Sequence, residues 1–248
     1  MAGAESKALS DFFKVARRMA RAQGTALWPV GLIAISATLA FGGSAVSQSA
    51  NLKGLGPSAA DGGYRYFKII VDEAALLHEP SSASAPKTVL SRDMLLSNLG
   101  CITDKNPVWC EVVSLKGKKK GFVHASDVQP ASGADGAPPT GPNDSKARAR
   151  KKDFDFDGEI KCAQVEGESL GKCRIQIARA GGGDATAVVT FSNSFNRKLY
   201  FRLGEFLRAN TTMSGVGRDI DWALQGDMYT LRVDDQRFEI PAAFVLGD

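Results

Sequence analysis

The chain has 248 residues, 44% of which are hydrophobic, and a formal net charge of +4. A chain of this length holds one or two domains. Its charge is uneven, because residues 1–50 and 131–152 are basic whereas residues 153–248 carry more acidic than basic side chains. Since nucleic-acid binding needs a basic face on a folded domain, we expect no nucleic-acid partner.

An uncharged segment near the start predicts export. No charged residue lies between Gly24 and Ala50, and basic residues such as Arg17 and Arg21 precede this stretch. A basic region, an apolar region and small residues after it are typical of a secretory signal, so we predict a signal peptide within residues 1–50. The apolar run can also span a bilayer, which leaves an uncleaved inner-membrane anchor through residues 24–46, or a buried cytosolic helix, as alternatives. A cleaved signal peptide and an uncleaved membrane anchor both predict a periplasmic or other extracytoplasmic location for the rest of the chain.

Residues 62–131 contain short apolar runs at a spacing that is typical of a small β-domain. Tyr66–Val71 is rich in aromatic and β-branched residues, which favour strands. Further short apolar runs follow at Val89–Leu90, Met94–Leu96, Trp109–Val113 and Gly121–His124. Short strands at this spacing predict a small barrel or sandwich.

Three motifs in this range resemble the bacterial SH3-like domain family. They are Ala75–Ser81, the pair Gly100-Cys101 with the later Trp109–Val112, and the closing Gly121–Val128. The resemblance implies a five- or six-stranded barrel attached to cell-wall enzymes or envelope proteins. It also implies peptidoglycan or peptide ligands.

Aromatic and imidazole side chains are the candidate binding groups of this domain. They are Trp109, Phe122 and His124. The alternative for Trp109 is packing over a Cys101–Cys110 bridge as part of the core. His78 and His124 are the only histidines, and two imidazoles do not complete a metal site, so we expect no metal and no cofactor.

Residues 132–152 predict a disordered linker, because their many Pro, Gly and polar residues bury little apolar area. The basic stretch at 146–152 is either a solvated charge run or a contact to anionic lipid or wall polymer.

Residues 153–248 predict a second small all-β domain. Ala185–Phe191 and Lys198–Leu203 are strand-like, and Met228–Val233 with Gln236–Pro241 predicts a hairpin. Gly181–Gly183 predicts a flexible hairpin turn. The pattern resembles a domain of unknown function in exported proteobacterial proteins, carried by Asp157–Cys162, Gly171–Arg174, Arg179–Gly183, Tyr229–Val233 and Glu239–Pro241.

Three carboxylates open this second domain in a pattern that calcium loops share. Asp153, Asp155 and Asp157 match the first positions of an EF-hand loop, but Gln164 stands where a bidentate Glu is needed. The alternation of Phe and Asp is better explained by a strand with one buried face.

Four cysteines predict two local disulfides. Four cysteines allow three connectivities, and a linker between the two pairs favours Cys101–Cys110 and Cys162–Cys173. Zinc binding or thiol chemistry would favour Cys-x-x-Cys spacing, which is absent from the sequence.

The predicted fold class is therefore mainly β: an N-terminal export helix, a small SH3-like barrel, a flexible linker and a second β-domain. The sequence has no Gly-x-Ser-x-Gly, no metal-ligand cluster and no Cys-His pair outside the predicted disulfides. We expect a non-catalytic exported envelope protein that binds peptidoglycan, a peptide or another envelope protein. The alternative is an accessory or regulatory subunit of a cell-wall-acting enzyme, or such an enzyme itself, because paired carboxylates could still meet in the fold.

Overall fold

The computed structural model describes residues 55–210 and 219–247, all of which belong to one compact unit. These residues form two antiparallel sheets, which confirms the mainly β fold for this part of the chain. Each sheet takes its strands from one of the two predicted β-ranges. The predictions for residues 1–50 lie outside the described residues.

The first sheet has seven strands, in the order β3-β2-β6-β5-β4-β1-β7. These are β1 (Tyr66–Ile69), β2 (Glu73–Leu77), β3 (Pro86–Ser91), β4 (Leu95–Ile102), β5 (Trp109–Ser114), β6 (Lys120–His124) and β7 (Val128–Pro130). Because side chains alternate between the two faces of a strand, each strand sends apolar residues to one core. Phe67, Leu76, Leu96, Val112 and Val123 are fully buried there.

The second sheet has eight strands, in the order β12-β11-β10-β9-β8-β15-β14-β13. They are β8 (Phe156–Ala163), β9 (Gly171–Gly181), β10 (Asp184–Thr190), β11 (Asn196–Arg202), β12 (Glu205–Ala209), β13 (Ile220–Gln225), β14 (Met228–Val233) and β15 (Gln236–Pro241). Neighbours in the sheet are neighbours in sequence, except that the last strand, β15, pairs with the first, β8. The predicted hairpin is confirmed as β14 and β15.

The second sheet is rolled into a barrel-like shape. Four strand spacings separate β11 from β15, which is roughly 19 Å in a flat sheet. Nevertheless Arg197 of β11 donates from Nε to Oε1 of Gln236 in β15 at 2.6 Å. Phe201 of β11 and Tyr229 of β14 also meet, with ring centroids 5.3 Å apart. The rolled sheet encloses its own apolar core, which includes Ile175, Ile177, Leu199, Phe238 and Ile240.

Two short α-helices, α1 (Ser145–Arg150) and α2 (Ala242–Leu246), and two single-turn 3-10 helices complete the described fold. Helix α1 lies on the outer face of the second sheet, where Ser145 Oγ is 3.0 Å from Thr186 Oγ1. Ser145 and Ala149 are its buried residues.

The segment predicted to be a disordered linker is ordered in the structure. Its backbone is hydrogen-bonded to both sheets: Arg65 N donates to Pro139 O at 2.8 Å, and Ala134 N donates to Gly182 O at 3.3 Å. The expectation of disorder rested on the small apolar area of the segment. Backbone hydrogen bonds provide the order instead, and a Pro/Gly composition gives no sign of such long-range partners.

The glycine turn between β9 and β10 is tightly packed rather than open. Gly181, Gly182 and Gly183 all have positive φ, which glycine adopts without strain. A Cβ on Gly183 would lie 2.3 Å from Gly204 N, and one on Gly182 would lie 2.7 Å from Pro139 Cβ. Only glycine fits between the ordered segment and the β11–β12 turn.

A buried polar cluster joins the two sheets. Arg65, directly before β1, donates from NH1 to Oδ2 of Asp184 at the start of β10, at 3.0 Å. The side chains of Arg65 and Asp184 are 7% and 0% exposed. Asp184 Oδ2 also accepts from Tyr66 Oη at 2.9 Å, and Oδ1 accepts from Leu203 N at 3.0 Å. Burial, and then the nearby Asp184 charge, raise the pKa of the Tyr66 hydroxyl.

Candidate functional site

The structure brings two of the three predicted binding residues together. Trp109 of β5 and His124 of β6 are register partners, and their rings meet edge to face at 5.2 Å. Phe122 lies two residues earlier on β6, on the same face, opposite Glu111. Trp109 is only 6% exposed, so little of its ring is available for stacking on a ligand.

The cysteines form the two local disulfides that their spacing predicts, Cys101–Cys110 and Cys162–Cys173. Each joins adjacent strands: the first links β4 to β5 and the second links β8 to β9. The described residues contain no free cysteine. Two disulfides are compatible with an exported protein, because such bonds persist in oxidising compartments.

Arginine side chains donate hydrogen bonds to the three carboxylates that open residues 153–248. Arg148 of α1 donates from Nε to Asp153 at 2.8 Å and from NH2 to Asp155 at 2.7 Å. Arg174 donates from Nε to Asp157 at 2.8 Å. These hydrogen bonds lower the pKa of all three carboxyl groups. Within residues 55–210 and 219–247, no cluster of three or more His, Cys, Asp or Glu side chains could hold a metal ion.

A large, mainly apolar cavity lies between the two sheets, with a volume of about 530 Å³. We call it the junction groove. Its apolar lining comes from Met94, Leu95 and Leu115 of the first sheet and from Phe206 and Leu207 of the second. A volume of this size is typical of a ligand site.

A second, more polar cavity of about 330 Å³ adjoins the junction groove. The two share Asp93, Leu95 and Glu205 as lining residues. The polar cavity adds Lys68 and Gln129 to this shared lining. Two adjoining cavities of different polarity can hold successive groups of a chain-like ligand.

The charges around the junction groove are not all neutralised. Arg92 pairs with Asp72 at 2.9 Å, and Asp93 pairs with Lys68 at 3.5 Å. Lys116 and Arg202 line the groove and form no ion pair with a carboxylate of the described residues. The Arg202 guanidinium lies over the Tyr66 ring at 5.1 Å. Glu205 also lines the groove without an ion pair in the described part of the chain, and it is the register partner of Arg202. The charged lining residues, which are Arg92, Lys116 and Arg202 against Asp93 and Glu205, leave a net charge of +1, and this favours an anionic group on a ligand.

One wall of the groove is an edge strand. Strand β12 pairs with β11 on one side, and no described strand pairs with its other side. A strand edge without a strand partner among the described residues is the kind of edge that an extended chain joins in strand addition. Leu207, in this strand, is 41% exposed.

Sequence reasoning missed the junction groove. The predicted binding residues lie on the first sheet alone, whereas the groove combines loops of the first sheet with an edge of the second. The exposed Leu207 gives no local signal, because single exposed apolar residues are common on protein surfaces.

The fold and this groove define a mainly β, disulfide-bonded protein with a cleft between two sheets. No protein-family model matches the chain, and no curated protein or solved structure matches it significantly. The SH3-like identity of residues 62–131 therefore stays a prediction. Among the described residues, no helix has the length and apolar character needed to cross a bilayer.

Proposed function

We propose that this is an exported, non-catalytic envelope protein that binds an extended peptide segment in the junction groove. The observation that carries the proposal is the apolar cavity between the sheets, continued by a polar one and bordered by the open edge of β12. An extended peptide can place an apolar side chain in the first cavity and polar groups in the second.

The charge of the groove narrows the ligand class. Lys116 and Arg202 favour a peptide with a carboxylate next to its apolar residue, because a charged hydrogen bond to an arginine is stronger than a neutral one. Peptides of this chemistry include the stem peptides of cell-wall polymer and the chain ends of envelope proteins. The two disulfides support a periplasmic or other extracytoplasmic location, where such peptides are met.

A pair of leucine variants tests the groove. Leu207 of β12 and Leu224 of β13 lie on the two edge strands of the same sheet and are 41% and 45% exposed. Leu207→Asp places a charge in the apolar cavity and repels a carboxylate, so we expect binding to weaken by roughly tenfold or more. Leu224→Asp, outside the groove, is the matched control.

The measurement uses the full chain and an array of immobilised ten-residue peptides that combine apolar, acidic and basic residues. Retention of acidic–apolar peptides by the wild type and by L224D, but not by L207D, supports the proposal. Equal retention by all three proteins contradicts it. Purified peptidoglycan is assayed in parallel, and release of soluble wall fragments by the protein would favour the alternative of a cell-wall-acting enzyme.

A further inference from the structure

We infer that a second surface, built from α1, β11 and β12, binds an anionic membrane surface through lipid headgroups. This inference goes beyond the proposed peptide site and does not depend on it. We call the surface the Tyr200 patch; it consists of Lys146, Arg150, Lys198, Tyr200 and Arg208. None of these residues lines the junction groove.

The patch is centred on an aromatic ring with two cations close to it. The Arg208 guanidinium lies 4.4 Å from the centroid of the Tyr200 ring, and Lys146 Nζ lies 5.8 Å from it. Tyr200 and Arg208 are register partners on β11 and β12. Lys198 lies two residues before Tyr200 on the same strand face.

Helix α1 extends the patch beyond the sheet. The helix packs on β10 through Ser145, which contacts Thr186. Arg150 is exposed and lies one turn after Lys146, on the same side of the helix. The patch thus combines cations from a helix and from two strands on one face.

The four cations of the patch have no carboxylate partner among the described residues. Four other cations of the same rolled sheet do have one; the pairs are Lys161–Glu239, Lys172–Glu159, Arg174–Asp157 and Arg232–Asp219. Asp144 precedes α1 and Glu205 begins β12, but neither forms an ion pair with the patch. The patch cations are therefore available to an external anion, although the second range is acidic in total.

The structure also changes how the basic stretch 146–152 contributes. Arg148 is engaged by Asp153, by Asp155 and by the carbonyl of Arg179, so it is not free to bind lipid. Lys146 reaches the Tyr200 ring of the sheet, and the exposed Arg150 follows one helical turn later on the same side of α1.

A membrane fits this surface better than a nucleic acid does. The cations lie on one face of a sheet and a helix, where a plane of headgroups can reach several of them together, and an aromatic ring suits the bilayer interface. A nucleic-acid-binding domain is basic as a whole, whereas residues 153–248 are not.

The test compares two double variants of the full chain on lipid vesicles. Lys146→Gln with Arg208→Gln removes two patch cations. Lys172→Gln with Arg174→Gln removes one lysine and one arginine that already have carboxylate partners, and serves as the matched control. Residues 24–46 are the same in every variant, so any insertion of that segment contributes equally.

Binding is measured by sedimentation with vesicles of phosphatidylglycerol and phosphatidylcholine, and with phosphatidylcholine alone. Each basic side chain near an anionic surface contributes roughly a factor of five. We expect the patch variant to bind the anionic vesicles roughly 25-fold more weakly than wild type, whereas the control variant binds them about as tightly as wild type. High salt should weaken the binding of the wild type and of the control variant to these vesicles.

Three results would overturn the inference. The first is wild-type protein that binds anionic vesicles no more strongly than neutral ones. The second is an equal loss of vesicle binding in the two double variants. The third is protein that binds double-stranded DNA or dextran sulfate through the patch but does not bind anionic vesicles.

Discussion

At the scale of single residues, Asp184 is the carboxylate that holds the two sheets together. Its oxygens accept hydrogen bonds from Arg65, Tyr66 and the Leu203 backbone, and its side chain is fully buried. In the sequence this aspartate follows three glycines and is typical of a turn residue. Its ion-pair partner Arg65 lies 119 residues earlier in the chain, and no local sequence pattern predicts a pair at this separation.

We predict that Asp184→Asn destabilises the protein by about 3–5 kcal/mol, because removing one charge of a buried pair leaves the other uncompensated. Urea unfolding measures this change. Asp72→Asn is the control, because Asp72 pairs with Arg92 while its side chain is 91% exposed, and exposed pairs contribute at most about 1 kcal/mol. Similar losses in the two variants would contradict the role assigned to Asp184.

At the scale of elements, the sequence predicts hairpins whose pattern lies within their own residues. It does not predict elements that are held by contacts to residues far away in the sequence. Strands β14 and β15 have the predicted bounds, since apolar alternation and a two-residue turn are local properties. Helix α1 was missed, because it is held by Arg148 and by the contact of Ser145 with Thr186. Six residues of basic and small side chains show no apolar periodicity of their own.

The Arg148 network makes a pH-dependent prediction. Hydrogen bonds from Arg148 lower the pKa of Asp153 and Asp155 below 3.8. A carboxyl group with a lowered pKa contributes stability above its unfolded pKa, and that stability is lost as the pH falls through the folded value. We therefore expect Arg148→Gln to lower the free energy of unfolding near neutral pH, and the difference from wild type to shrink as the pH falls below 3.8.

Chemical denaturation at a series of pH values measures this difference. Arg150→Gln changes the same residue type in the same helix, and Arg150 forms no ion pair within the described part of the chain. We expect its effect to be independent of pH in this range. An R148Q deficit that persisted unchanged in acid would show that the carboxylates are not its source.

At the scale of the whole molecule, the two sheets share a buried ion pair and an ordered connection. Partial unfolding of one sheet would expose Arg65 or Asp184 without its partner, so we predict that the sheets unfold in one transition. Trp109 reports on the first sheet and Trp222 on the second. In a Trp28→Phe background, W109F keeps only Trp222 and W222F keeps only Trp109. The unfolding midpoints measured by tryptophan fluorescence in these two variants should coincide.

Adding Asp184→Asn to both reporter variants weakens the shared contact, and we expect the two midpoints to separate. Two distinct midpoints in the presence of Asp184 would instead mean that the sheets are stable independently.

The sequence predicted the contents of each sheet better than the site between them. Alternating strands such as β5 and β6 identify the cores, whereas the junction groove depends on how Leu115 and Leu207 are brought together. That arrangement is set by the Arg65–Asp184 pair and by backbone hydrogen bonds of residues 131–144, which carry no periodic signal.

The packing of the glycine turn has a practical consequence for engineering the protein. A run of three glycines invites the insertion of an epitope tag or a fluorescent reporter. Here Gly182 and Gly183 leave no room for even a methyl group, so an insertion would separate the strand ends from the segment that joins the sheets. The turn at Gly226 has open space around it, and it is the better attachment point for a label.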